Sequence, residues 1–260
     1  MISVIKIGGN VIDDEKNLAR FLDQLSGFPG KKILVHGGGK LATELSSRLG
    51  ISTTMIEGRR VTDGETLKVA VMTYAGWINK TIVAALNSRG CTAIGLCGAD
   101  GNVITAKKRE GEIDFGFVGD PAAETVNATL LLGLLEAQLT PVIAPITHDG
   151  NGQLLNTNAD TMAAVIAASL AQETDVQLIY CFEKSGVLKD VAADDSLIAT
   201  MDRALFSSLK NDGTIHKGML PKLTAGFMAR TSGVSRVVIG HAERLPELLK
   251  ETNYCTTLEP

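Results

Sequence analysis

Short apolar runs alternate with longer stretches of helical periodicity along the whole chain. Residues 3–7, 32–35, 93–96, 140–144, 177–181 and 236–239 have strand length and are dominated by Val, Ile and Leu. Runs that are apolar at nearly every position predict strands covered on both faces, as in a mostly parallel sheet sandwiched by helices. Helical spacing fills 15–25, 41–49, 65–89, 121–137, 159–171, 202–210 and 221–230, several of these opened by Asp, Ser or Thr and closed near glycine. In 65–89 the apolar positions Leu67, Val71, Tyr74, Ile78 and Ile82 recur every three to four residues, which predicts a broad buried face of the kind a subunit interface uses. Between 99 and 120, Gly, Lys, Arg, Glu and Asp interleave with short β-like pieces, predicting a hairpin excursion from the sheet. The pattern is that of an α/β protein, with a lobe boundary expected near 171–175.

Two of the predicted strands run straight into glycine: Lys6-Ile7-Gly8-Gly9 and His36-Gly37-Gly38-Gly39. A strand that ends in glycine and enters a helix presents free backbone N–H groups at the helix's positive end, and glycine lets an anion approach them closely. Neither turn is G-x-x-x-x-G-K-[ST], and no G-x-G-x-x-G follows a strand, so P-loop and dinucleotide-binding readings lose weight. Lys6 alone reads as a solvated strand-end lysine; beside two glycine turns it reads as a phosphate ligand, a compact charge suited to a transferring phosphoryl group. Lys222, in Gly218-Met219-Leu220-Pro221-Lys222, sits just inside a helix start, where the dipole disfavours a cation unless an anion binds there too. Lys217 is the nearby competitor and reads as a loop charge.

Arg60, in a turn-rich stretch, suits a bidentate grip on a substrate carboxylate, against the plain reading of a surface arginine. Asn156, Asn158 and Asp160 alternate ahead of an alanine-rich helix, so both amides are expected in one cleft; capping accounts for one of the three residues but not for all. Asp160 has two readings, a helix cap or a carboxylate holding Lys6 and a second lysine by ion pairing.

The 260 residues, 45% of them hydrophobic, suffice for a buried core. A net charge of −4 excludes the basic field that nucleic acid or an anionic membrane surface requires. Cys91, Cys97, Cys181 and Cys255 follow no disulfide or C-x-x-C pattern, which implies a reduced, cytoplasmic protein. No targeting segment and no run of about 18 apolar residues is expected. His36 reads as a hydrogen-bonded structural residue, and His148, His216 and His241 have no metal spacing. No G-x-S-x-G elbow is present.

Taken in order, Lys6-Ile7-Gly8-Gly9, His36-Gly37-Gly38-Gly39, Gly58-Arg59-Arg60-Val61-Thr62, Gly76-Trp77-Ile78-Asn79-Lys80, Asn156-Thr157-Asn158-Ala159-Asp160 and Gly218-Met219-Leu220-Pro221-Lys222 resemble the signature of the amino-acid kinase family, and of its acylglutamate branch. The resemblance implies a three-layer α/β/α sandwich around a mainly parallel, eight-stranded type of sheet. Residues 1 to about 172 would form the acyl-amino-acid-binding and dimerisation lobe, and about 173 to 260 the nucleotide-binding lobe. It implies ATP-dependent phosphorylation of the γ-carboxylate of N-acetyl-L-glutamate, the second step of arginine biosynthesis; N-succinyl-L-glutamate is the alternative acceptor and a non-catalytic amino-acid sensor the alternative class. Lys6, Lys222 and Asp160 would be catalytic. Gly38, Gly39, Arg60, Asn156 and Asn158 would bind the acceptor, while Gly8, Gly9, Gly186 and Lys222 bind the nucleotide, with Mg²⁺ carried on its phosphates. The absence of an extra N-terminal helix implies a homodimer without arginine feedback. Phe182-Glu183-Lys184-Ser185-Gly186 departs from the Ser/Thr-Asp-Val turn that the family commonly has, and so puts the nucleotide contacts there in question. The basic run Lys107-Lys108-Arg109 reads as a solvated cluster, or alternatively as a grip for an extra carboxylate on the acyl group.

Overall fold

The computed structural model describes every residue except 57–58, 191, 194, 216–217 and 251–253, so Gly58, His216 and Lys217 lie outside the described residues. Eight strands form the main sheet: β1 (Ile2–Ile7), β2 (Lys32–His36), β3 (Ala93–Leu96), β4 (Thr140–Ile143), β5 (Val176–Phe182), β6 (Thr200–Met201), β7 (Arg236–His241) and β8 (Thr256–Leu258). Their spatial order is β6-β8-β7-β5-β1-β2-β4-β3. Every neighbouring pair is parallel except β7 with β8. The expected mainly parallel sheet and its six long strands are therefore present; the short edge strands β6 and β8 are additions.

Side chains alternate across the central strands, as the pleat requires. Ile2 and Val4 of β1, Leu178 and Tyr180 of β5, and Val237 and Ile239 of β7 pack on one face, against the helices Ala159–Leu170 and Leu220–Thr231. Ile5 and Ile7, Ile179 and Cys181, and Val238 pack on the other, against Glu15–Gly27, Gly64–Asn87 and Leu245–Leu248. Two cores back to back on one sheet make the three layers. The same alternation puts Lys6 on the face of Ile2 and Val4, in register with Tyr180 of β5. That face is roofed by Ala159–Leu170, whose first turn carries Asp160.

Two helical expectations change. Residues 121–137 form a 3₁₀ turn, Ala123–Thr125, then a separate helix, Ala128–Glu136. The break lies at Asn127, whose side chain accepts from the Leu130 N–H at 3.0 Å and so starts the helix afresh. The predicted long helix is continuous over Gly64–Asn87 but passes through a π turn at Met72–Ile78. By length and composition this helix is apolar enough to cross a bilayer, although no such run was expected. Leu67, Tyr74, Ile78, Ile82 and Leu86 are buried within the protein, which is what their apolar character serves here.

A second sheet, ordered Lys107–Lys108, Val118–Asp120, Leu154–Thr157 and Ile146–His148, realises the expected excursion and shares a cleft with the glycine turn that follows β2. Gly38, between β2 and the helix Gly39–Arg48, has φ +146°, and a Cβ there would lie 2.2 Å from Ile78 Cδ1. Gly38→Ala is therefore expected to cost about 2 kcal/mol or more through backbone strain and overpacking together. A urea unfolding midpoint unchanged from wild type would contradict that.

Candidate active site

In an open α/β sheet, ligands bind beyond the carboxyl ends of the strands, where the connections leave in opposite directions. Here that point is between β1 and β5, because the chain goes from β1 to β2 on one side and from β5 to β7 on the other. Lys6 stands near the end of β1, Gly8 and Gly9 just past it, and Phe182, Glu183, Lys184 and Gly186 at or just past the end of β5. These residues line a cleft of about 400 Å³ together with Asn10, Val187, Leu188, Ile215, Met219 and Lys222. A second cleft of about 190 Å³ lies on the other side of the start of helix Ala159–Leu170, lined by Gly37, Gly38, Gly39, Arg60, Tyr74, Asn156 and Asn158 among others.

In the wall of the larger cleft lies a three-membered ion cluster. Lys6 Nζ is 2.7 Å and Lys222 Nζ 2.8 Å from the same Asp160 Oδ1. All three residues are less than a tenth exposed. Burial by itself raises the Asp160 carboxyl, but Lys222 and Lys6 together hold it well below the ordinary carboxylate range. Burial lowers Lys222 to about 8, against the opposing pull of Asp160, with Lys6 adding to the lowering. One carboxylate facing two ammonium groups leaves a net positive charge at the junction, suited to an incoming anion. The rings of Tyr180 and Phe182, on one face of β5, lie 4.9 and 5.9 Å from Lys222 Nζ. The Tyr180 hydroxyl donates to the Asp160 carbonyl at 2.9 Å. The turn that departs from the family pattern thus contributes an aromatic wall beside the lysine, and Gly186 lies so close to Thr256 that a Cβ would stand 2.5 Å from its Oγ1.

The two readings of Asp160 separate cleanly. Asn158 is the cap, its Oδ1 accepting from Thr161 N–H at 2.9 Å, while the Asp160 side chain goes to the lysines. Asn158 lies beyond the strand Leu154–Thr157 rather than within it, yet both amides still face the smaller cleft. Asn156 Nδ2 donates to Thr62 Oγ1 at 3.0 Å. Arg60 is buried, not a surface arginine: Nη2 donates to Gly39 O and Thr43 Oγ1, each at 2.8 Å, and Nη1 to Thr53 Oγ1 at 3.2 Å. Gly8 N–H is spent on Cys181 O at 3.3 Å and Gly37 N–H on Ile7 O at 3.1 Å, so these two amides tie the glycine turns to the sheet.

His36 is structural, as expected. Its Nδ1 faces Gly37 O at 2.9 Å, an acceptor only, so Nδ1 carries the proton and Nε2 accepts from Asn79 Nδ2 at 3.2 Å. Burial lowers it to about 4, which keeps the ring neutral. The basic run divides. Lys107 and Lys108 are exposed, whereas Arg109 turns into the smaller cleft, where Asp120 takes its guanidinium through both oxygens and the Phe115 ring lies 5.5 Å away. The reading of all three as a solvated cluster is thus corrected for Arg109. Its charge is already matched by Asp120, which argues against a role for it in gripping an extra carboxylate. Tyr74, Tyr180 and Thr62 were not read as site residues. Tyr74 looks like one more apolar position of a periodic helix, and the other two acquire their roles only through contacts far along the chain.

The lowered Lys222 has a kinetic consequence. In the phosphate-binding role that the sequence resemblance implies for it, Lys222 acts as the ammonium, so kcat/KM for ATP is expected to fall as pH rises through about 8. The fall in kcat should come at higher pH, because bound phosphates favour the protonated amine. A profile of kcat/KM flat from about pH 6.5 to about 9.5 would contradict this.

A doubly ion-paired carboxylate lies in the wall of the larger cleft, at the switch point of an α/β/α sandwich, with its neighbours Ala159 and Thr161 in the wall of the smaller one. The amino acid kinase family matches residues 1–241. An acetylglutamate kinase of Cytophaga hutchinsonii is 51% identical over 250 residues, 95% of this chain and 94% of that one. Another, of Bacteroides thetaiotaomicron, is 49% identical over 247 residues, 95% of each chain. Among solved structures, N-acetylglutamate synthase from Neisseria gonorrhoeae, complexed with coenzyme A and N-acetyl-glutamate, has a TM-score of 0.82 at 22% identity, covering 100% of this chain and 59% of that one. Carbamate kinase from Giardia lamblia bound to AMP-PNP has a TM-score of 0.69 at 14% identity, covering 99% and 97%. These two structures bear on the fold alone. The chain belongs to the amino acid kinase family.

Proposed function

We propose that this enzyme transfers the γ-phosphoryl group of ATP to the γ-carboxylate of N-acetyl-L-glutamate, giving N-acetyl-L-glutamyl 5-phosphate and ADP in arginine biosynthesis. The observation that carries the reading is the Lys6–Asp160–Lys222 cluster in the wall of the larger cleft, with Ala159 and Thr161, on either side of Asp160, in the wall of the smaller one. The acceptor occupies the cleft of Gly38, Gly39, Arg60, Asn156 and Asn158. Arg60, fixed by three protein acceptors, meets the α-carboxylate, and Asn156 the acylamino end. ATP lies in the cleft of Gly8, Gly9, Gly186 and Lys222, where Val187, Leu188, Ile215 and Met219 offer an apolar wall to the base. The acceptor side is drawn from residues up to Thr161 and the nucleotide side mainly from Phe182 onward, which supports lobes of about 1–172 and 173–260.

The γ-carboxylate is an anion at neutral pH, so no general base is required. Its oxygen bonds to the γ-phosphorus as the bond to the β,γ-bridging oxygen breaks, and ADP leaves with that electron pair. Lys6 and Lys222 face the charge that grows on the transferring group, and Asp160 orients both without accepting a proton. Mg²⁺ enters with the nucleotide, held by its phosphates. Met72 and Trp77, 52% and 69% exposed on the helix Gly64–Asn87, support a homodimer built on that helix. The free thiols of Cys91, Cys97 and Cys181 support a cytoplasmic setting. A coupled ADP-release assay comparing N-acetyl-L-glutamate, N-succinyl-L-glutamate, L-glutamate and carbamate tests the assignment. The acetylated acceptor is expected to give the highest kcat/KM, and a higher value for any other would overturn it.

A further inference from the structure

The segment Gly76-Trp77-Ile78-Asn79-Lys80 has no part in the site as assigned so far, and neither has the buried imidazole of His36. The structure joins the two. Asn79, 1% exposed, donates from Nδ2 to His36 Nε2 of β2 at 3.2 Å and to Val142 O of β4 at 2.9 Å. Its Oδ1 accepts from Lys80 Nζ at 3.1 Å, and that ammonium also donates to Gly95 O of β3 at 3.0 Å. A Cβ on Gly95 would stand 2.0 Å from Asn79 Oδ1, so a residue without a side chain leaves the amide its room. Three neighbouring strands, β2, β4 and β3, are thus tied to one helix by a single polar network.

At its far end the network holds the second glycine turn. Because His36 Nε2 accepts from Asn79, the ring proton sits on Nδ1, which donates to Gly37 O at 2.9 Å. The peptide joining Gly37 to Gly38 is planar and trans, so a carbonyl fixed on the buried ring points the Gly38 N–H the opposite way. His36 is buried behind the turn, whereas Gly37, Gly38 and Gly39 line the smaller cleft. The same helix closes on the turn a second time, since Ile78 Cδ1 fills the space beside Gly38. With Arg60 proposed for the α-carboxylate and Asn156 for the acylamino end, the part of the acceptor left to this N–H is the γ-carboxylate. That is the group that attacks phosphorus, and misplacing it by about 1 Å costs on the order of 10²-fold in rate.

We propose that Asn79 is a positioning residue for the reaction: through His36 it fixes the peptide between Gly37 and Gly38, so that the Gly38 N–H is aimed at the γ-carboxylate of the bound acceptor. Asn79 lines neither cleft and acts only through the turn. A buried chain of hydrogen bonds with every member paired holds one arrangement, and releasing one link loosens those beyond it. This inference rests on the proposed assignment of the smaller cleft to the acceptor.

The test is a double-mutant cycle of Asn79→Leu and His36→Leu in the full chain, with Ile82→Val as a stability control, because Ile82 is fully buried on the same helix one turn further on. Each single variant of the cycle is expected to lower kcat about 10-fold or more, with the KM for ATP within about 2-fold of wild type. The double variant is expected to be no slower than the slower single, since both substitutions release the same peptide, whereas independent losses multiply. Ile82→Val is expected to lower the melting temperature while kcat stays within about 2-fold of wild type. Losses that multiply in the double variant would overturn the inference, as would an Asn79→Leu enzyme that turns over as fast as Ile82→Val. If His36→Leu does not fold, that second comparison decides alone. A wild-type enzyme inactive on N-acetyl-L-glutamate would instead remove the acceptor assignment, and this inference with it; in an active one, unchanged turnover in the variants counts against Asn79 only.

Discussion

Lys222→Ala is expected to lower kcat by about 10²–10³-fold while changing the KM for the acyl amino acid by less than about 3-fold. The asymmetry follows from where the charge acts. Lys222 lines the larger cleft and not the smaller one, which is the proposed acceptor cleft, so the acceptor's ground-state contacts should survive its removal. A donor aimed at the transferring group strengthens its contact as negative charge accumulates there, so its loss appears mainly in turnover. The fold should tolerate the change because Asp160 keeps Lys6 at 2.7 Å, and the carboxylate is not left buried and unpaired. Lys6→Ala is expected to behave alike, with Lys222 as the remaining partner at 2.8 Å. Steady-state kinetics with each substrate varied in turn provide the check. Turnover within about 3-fold of wild type in both variants would remove the lysines from the chemistry.

Asp160→Asn should do something different: it should destabilise the protein as well as slow it. The substitution keeps the shape but leaves two ammonium groups, each less than a tenth exposed, facing a neutral amide. Removing one partner of a buried ionic cluster costs about 3–5 kcal/mol, which in a chain of this size is a fall in Tm on the order of 10 °C. The pH dependence identifies the origin. Asp160 titrates below its ordinary value of 3.8 in the folded protein, so its ionised form stabilises the fold above that pH, and the contribution is lost as pH falls through the folded value. The gap between wild type and Asp160→Asn should therefore be constant from about pH 5 to 7 and shrink in more acid solution. Denaturant titrations at several pH values would show it. A gap that stays the same down to pH 3.8 and below would mean that the loss comes from packing and not from charge.

The residues of the site were visible in the chain to unequal degrees. Lys6 and the two glycine turns stand at strand ends that periodicity alone marks, and Lys222 is conspicuous because its charge opposes the dipole of its own helix. Asp160 was ambiguous, since a carboxylate in a first helical turn has a sufficient local use; only the position of Asn158 as the cap frees it for the lysines. Tyr180 was invisible because an aromatic residue in an apolar run looks the same whether its hydroxyl is buried idly or holds the Asp160 carbonyl. Arg109 read as solvated because the short strand Lys107–Lys108 ahead of it is exposed, and nothing local shows that Asp120 takes its guanidinium inside the cleft.

What the chain determined by itself were features set over a few residues: which segments are strands or helices, which side chains face the same way, and where glycine turns follow strands. Period, capping and glycine geometry act over one or two turns, so they can be read without knowing what lies across the sheet. The tertiary structure decided the rest. It broke 121–137 at Asn127 and placed a π turn in the long helix. It also paired β6 and β8 at the edge, and carried Lys6, Asp160 and Lys222 from three distant parts of the chain onto one carboxylate oxygen. Those outcomes depend on what each segment packs against. A buried charge is stable only where its counter-charge is delivered by another element, and no stretch of sequence contains that information.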